Sequence, residues 1–228
     1  MNHWIPTGCS SLDRALGGGL PPGGVCLLYG EAETGKSALA TQCAVNCARI
    51  GYKTLYVDSD GTFIPERLAQ IAFNDFREVS DFIILARPST FDEQITLVDN
   101  LEKYVSKRFG LIVLDTVTSL YRSELLNQKE TFHLNRELNR QVATLVEIAR
   151  TLRLSVLLVG QVRSIINEAE IAPVATRVLK FWCDTVVCLS RTGRQGVIKA
   201  SIEKVNRKDA KIFSYLIIKE DGVHDYSK

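Results

Sequence analysis

The sequence contains no C-x-x-C pair, and its three histidines, His3, His133 and His224, are scattered along the chain. A cysteine–histidine zinc site is therefore not expected. The six cysteines fall in apolar runs (Cys26, Cys188), one helical turn apart (Cys43, Cys47) or alone (Cys9, Cys183). That is the pattern of buried, reduced thiols in a cytoplasmic protein. No stretch approaches the ~20 apolar residues that span a bilayer, so no membrane partner is expected. The first residues hold Pro6 and Gly8 but no apolar run, and no secretory leader is read there. Large charge of either sign is also missing. A net charge of +2 does not announce nucleic acid, and a DNA-binding patch would have to be local. No linker, repeat or low-complexity tract divides the 228 residues, so one domain over 1–228 is expected. What is present is ordinary: 46% hydrophobic and 24% charged residues, enough to bury a normal core.

Strand-like and helix-like segments alternate. Apolar runs at 25–29, 54–57, 82–85, 111–114 and 156–159 read as strands. Helical periodicity is read over 37–50, 65–73, 91–109 and 134–152. This predicts an α/β fold with a mostly parallel central sheet and helices on both faces. The tail differs. Runs at 185–190, 197–205 and 212–219, separated by turns at 192–196 and 206–211, predict antiparallel strands at the C-terminal end.

Between the first strand and first helix stands Gly30-Glu31-Ala32-Glu33-Thr34-Gly35-Lys36-Ser37, followed by Ala38. The spacing G-x-x-x-x-G-K-[ST] serves a physical need. Glycines let the backbone wrap and aim N–H groups at phosphate oxygens, and the helix start adds its positive end. Lys36 would reach the β- and γ-phosphates of a nucleoside triphosphate, ATP by expectation, and Ser37 would offer a hydroxyl to Mg²⁺. A buried strand ending in a carboxylate should complete the site. Asp115, after Leu111-Ile112-Val113-Leu114, supplies it and would hold Mg²⁺. Hydrolysis also needs a group that orients the attacking water. Asp60 is the candidate, with Asp58 its competitor. Gln161, after the strand at 156–159, would sense the γ-phosphate, or merely cap the strand.

Several landmarks occur in one order. Thr7-Gly8, Ser11-Leu12-Asp13 and Gly17-Gly18-Gly19 precede the loop. Tyr56-Val57-Asp58-Ser59-Asp60-Gly61-Thr62-Phe63, Pro65-Glu66-Arg67-Leu68, Leu114-Asp115-Thr116-Val117-Thr118-Ser119-Leu120-Tyr121-Arg122 and Gly160-Gln161-Val162 follow it. This set resembles the RecA-family recombinases over nearly the whole chain, and among them the RadB proteins, short archaeal paralogues. The resemblance implies a RecA-like P-loop NTPase core acting in recombination and DNA repair, with ATP and Mg²⁺. It implies that Arg67 stacks on the adenine; otherwise Arg67 pairs with Glu66 or Asp60. It also implies that Arg207 reaches a neighbouring subunit's γ-phosphate.

Three departures lower the expected activity. Asp60 stands where the family usually carries the longer glutamate, so weak ATP turnover is expected. Neither the family's helix-hairpin-helix domain nor its phenylalanine-bearing linking segment is expected, since the core begins almost at Met1. Pro173-Val174-Ala175-Thr176 replaces the paired glycines of the second DNA loop. An accessory or regulatory factor follows, as a homo-oligomer short of a long filament. A main recombinase or a Holliday-junction resolvase is the implied partner. By analogy, DNA would meet loops at 121–133 (Arg122, Lys129, His133) and 163–180 (Arg163, Arg177, Lys180). Glu124, Glu130, Glu168 and Glu170 dilute both, and Phe181 and Trp182 read first as core. The rival readings are a signalling ATPase of the circadian-clock KaiC type and a non-hydrolysing interaction module.

Overall fold

The computed structural model describes residues 3–127, 131–164, 171–173 and 175–226. Its strands are β1 (Val25–Gly30), β2 (Lys53–Asp58), β3 (Ile83–Ala86), β4 (Phe109–Asp115), β5 (Ser155–Ser164), β6 (Ile171–Pro173), β7 (Thr185–Arg191), β8 (Val197–Val205), β9 (Lys208–Lys219) and β10 (Gly222–Asp225). Its helices are α1 (Ser10–Leu16), α2 (Lys36–Arg49), α3 (Pro65–Ala72), α4 (Phe76–Ser80), α5 (Phe91–Asp99), α6 (Leu101–Tyr104), α7 (Ser119–Asn127), α8 (Thr131–Leu152) and α9 (Thr176–Trp182). The sheet runs β10-β9-β8-β7-β1-β5-β4-β2-β3, with β6 paired to β5. From β7 to β3 neighbours are parallel, and from β7 to β10 antiparallel.

The central stretches of β1, β4 and β5, at 25–29, 111–114 and 156–159, are apolar because both faces are covered. Leu27, Ile112, Leu114 and Leu158 pack under α5, α7, α8 and α9, while Cys26, Leu28, Val113 and Leu157 pack under α1 and α2. All six cysteines are buried and unpaired, as expected. Burial pushes the Cys9 and Cys26 thiols up to about 12, so neither is a reactive thiolate.

Several elements differ from expectation. The helix read over 91–109 stops at Asn100, whose amide turns back to the Thr96 carbonyl at 2.7 Å, competing with the backbone ladder. The chain turns extended at Val105, and β4 already begins at Phe109. The turn expected over 206–211 shrinks to Asn206 and Arg207, both left-handed (φ 50° and 64°), so the hairpin is tight and β9 starts at Lys208. The described residues of the two expected DNA loops form regular elements: α7 and the start of α8 in the first, and the end of β5, β6 and α9 in the second.

Register brings the chemistry to one edge. Gly30 lies beside Gln161, Leu28 and Asp115 both lie beside Val159, and Asp58 lies beside Asp115. These are carboxyl ends of parallel strands, where open α/β sheets place ligands.

Candidate nucleotide site

The loop after β1 turns tightly for two reasons. Gly30 passes so close to β7 that a Cβ would lie 2.1 Å from the Leu189 carbonyl oxygen. Gly35 adopts φ 78° and starts α2, a left-handed conformation that favours glycine. Within the turn, the Lys36 ammonium donates to the Glu31 carbonyl at 2.5 Å, and the Thr34 hydroxyl donates to the same oxygen at 2.8 Å. Arg191, at the end of β7, braces the loop from outside. It donates through its backbone to the Glu31 carboxylate and through its guanidinium to the Ala32 carbonyl and the Glu33 carboxylate. Nothing in the sequence marked Arg191, because its partners lie some 160 residues away.

Burial pulls the Lys36 ammonium below its ordinary pKa, and the charges of Asp115 and Asp60 oppose this. Asp115 is 2% exposed. Burial raises its pKa, while hydrogen bonds from Tyr56 and Ser37 pull the other way. Tyr56 donates to Oδ2 at 2.7 Å. Oδ1 is buried and has no hydrogen-bond partner among the described residues. A buried carboxylate with one unsatisfied oxygen beside a serine hydroxyl fits a hard divalent cation. Among the described residues no three His, Cys, Asp or Glu side chains converge, and Mg²⁺ commonly takes one or two carboxylates and keeps several waters.

The two aspartates after β2 have different surroundings. Asp58 accepts from the backbone N–H of Thr62 and Phe63 and from Arg87 Nε, at 2.9, 3.1 and 3.1 Å. Its oxygens hold the turn that leads into α3. Asp60 instead accepts from the Gln161 amide at 3.1 Å. The segment carrying it is fixed by Ser59, whose N–H donates to the Asp115 carbonyl and whose hydroxyl donates to the buried Gln94. Gln161 is not merely a strand cap. Its amide N–H meets Asp60, and its carbonyl oxygen accepts from Arg122 on α7.

The remaining expected residues are dispersed. Arg67 donates to the carbonyls of Lys219 and Glu220 at 3.1 and 2.9 Å, not to Glu66 or Asp60. It ties α3 to the β9–β10 turn. Arg207 sits at the opposite end of the strands from the loop. Its Nε donates to Asp184 at 2.6 Å, and the other Asp184 oxygen accepts from the N–H of Val25, the first residue of β1. Lys180 pairs with Glu203 at 2.7 Å and lies over the Tyr29 ring. Lys129 lies outside the described residues, as do the side chains of Arg163 and Arg177. Phe181 is not core: it is 73% exposed, because the short helix α9 turns Leu179 inward and Phe181 to solvent. Trp182 is half-buried and donates from its indole to Asn139.

The model of the Rad51 family matches residues 3–226. The chain belongs to the Rad51 family. Within it, the relatives are DNA repair and recombination proteins RadB. That of Thermococcus onnurineus is 35% identical, covering 97% of each chain. That of Methanococcoides burtonii is 32% identical, covering 98% of each. A crystal structure of the RadB recombinase superposes with a TM-score of 0.84 at 32% identity, covering 98% of this chain and all of that one. This RadB-type recombinase paralogue thus carries the Rad51 core with its antiparallel C-terminal strands, and its place is in DNA repair and recombination. Among the described residues no helix is long and apolar enough to cross a membrane.

Proposed function

We propose that this chain is a single RecA-like ATPase domain that binds ATP with Mg²⁺, hydrolyses it slowly and binds DNA as an accessory factor of homologous recombination. The observation that carries the reading is the convergence of Lys36, Ser37 and Asp115 with the Asp60–Gln161 pair at one sheet edge. Residues 30–38 would wrap the phosphates with backbone N–H groups, and phosphate oxygens would replace the Glu31 carbonyl as the Lys36 partner. The Ser37 hydroxyl and the unsatisfied Asp115 oxygen would hold Mg²⁺, which supplies charge neutralisation at the phosphates. Asp60 would orient the attacking water, and Gln161, joined to both Asp60 and Arg122, would relate the γ-phosphate to the DNA-facing helix α7. Arg67, tied to the β9–β10 turn, would stack on the adenine.

Steady-state phosphate release and filter-binding of ATP test this. Wild type binds ATP and turns it over slowly, Lys36→Ala binds none, and Asp60→Glu turns over severalfold faster. ATP binding that survives in Lys36→Ala removes the site. A fall in rate in Asp60→Glu removes the role of Asp60. Unchanged DNA mobility across a salt series in Arg122→Ala removes α7 from the DNA surface.

A further inference from the structure

Among the described residues, helices stop covering one face of the sheet at β7. Val186 and Cys188 of β7 belong to the core under α8 and α9, but no residue of β8 or β9 does. On β9, Leu216 and Ile218 point to the other face, into the core with α2. Alternation therefore leaves Phe213 and Tyr215 on the uncovered face, 57% and 43% exposed. Their rings touch edge-on at a centroid distance of 5.8 Å. Lys199, opposite Tyr215 on β8, holds its ammonium 4.9 Å from the Phe213 ring centre. Beyond Tyr215 opens a cavity of about 330 Å³ lined by Thr192, Gly193, Arg194, Val197, Tyr215 and Tyr226. There the Arg194 guanidinium donates to the Tyr226 hydroxyl at 2.5 Å.

We propose that this face is a stacking platform for the bases of single-stranded DNA, a second DNA site apart from α7 and α9. Phe213, Tyr215 and Tyr226 offer π-faces in a row, and Lys199 and Arg194 stand at its two ends to meet phosphates. The two cations favour a polyanion over a neutral apolar partner, and the carboxylate on the same face of β8, Glu203, is taken up by the Tyr29 hydroxyl and the Lys180 ammonium. Aromatic rings between cations on an open antiparallel sheet are what a sequence-tolerant single-strand binder needs: stacking for each base and charge for each phosphate. The proposal rests on the reading that the chain binds DNA and adds a site to it.

The test uses the full chain and fluorescence anisotropy with an oligothymidylate, an abasic strand of equal length and charge, and a duplex. Wild type should prefer the oligothymidylate to the abasic strand by about tenfold or more. Phe213→Ala with Tyr215→Ala should abolish that preference while leaving duplex binding and the melting temperature near wild type. Phe213→Tyr with Tyr215→Phe should keep it. Lys199→Gln should flatten the salt dependence for the single strand by about 0.7 in log–log slope. Preference retained in the double-alanine variant overturns the platform and leaves the DNA reading intact. A wild type that binds no strand overturns both. A double-alanine variant that changes oligomeric state but not strand preference makes the face an interface between copies, and the platform falls.

Discussion

Single side chains at the site carry opposed forces. Asp115 is ionised at a cost, since burial raises its pKa above the ordinary 3.8. The folded chain then holds the Asp115 proton more tightly than the unfolded chain does. Its contribution to stability grows as pH falls from the raised value towards 3.8, and it is lost as pH rises through the same window. Melts in EDTA, without nucleotide, should therefore show wild type gaining on Asp115→Asn as pH drops from neutral to about 4. A constant difference across that range would refute the shift. Gly30 is constrained by geometry alone. Alanine there would drive a Cβ to 2.1 Å from the Leu189 oxygen. Gly30→Ala should cost at least ~3 kcal/mol in denaturant unfolding, and a near-wild-type midpoint would show that β7 yields. The loop glycines were legible from spacing; the Leu189 contact was not, because it joins residues far apart in sequence.

At the scale of elements, the start of β1 and the β8–β9 turn share one clasp. Asp184 accepts from the buried Val25 N–H and from Arg207. Asp184→Ala leaves that N–H unsatisfied and should cost ~2–3 kcal/mol. Arg207→Ala removes an ion pair whose arginine is 55% exposed, so it should cost about 1 kcal/mol or less. The pair of urea titrations checks the order. ATPase activity in Arg207→Ala equal to wild type across a range of protein concentrations would leave Arg207 with the clasp alone. Helix ends show the same dependence on detail. Periodicity carried the helix from 91 to 109, but Asn100 and the extended Val105 ended it earlier. Propensity is a weak prior where a side chain offers the backbone another partner.

For the molecule as a whole, ligand and fold are linked by mass action. Mg-ATP at a hundred times its dissociation constant should add ~2.7 kcal/mol to the unfolding free energy. The rise in melting temperature should vanish in Lys36→Ala and shrink when EDTA removes the metal. A rise that is equal with and without Mg²⁺ would show that Asp115 holds no cation. The sheet's order, with β1 flanked by β5 and β7, sets this linkage. The strand ends that would meet the nucleotide are the same ones that bury the core. The antiparallel end of the sheet was legible as three runs, whereas β10 and β6 were not, being too short to show a period.

The sequence by itself determined what depends on neighbours in the chain. These are the strand–loop–helix around Lys36, the apolar strands buried on both faces, and the carboxylate at the end of β4. Each rests on a spacing of a few residues, where periodicity and glycine freedom act directly. Only the tertiary structure decided what depends on distant pairs. It gave both Asp58 oxygens to the turn before α3 and set Asp60 against Gln161, 101 residues away. It sent Arg67 to the β9–β10 turn, brought Arg191 to the phosphate loop and left Phe181, Phe213 and Tyr215 in solvent. Strand order and helix coverage fix those choices, and no local pattern encodes where a sheet outruns its helices.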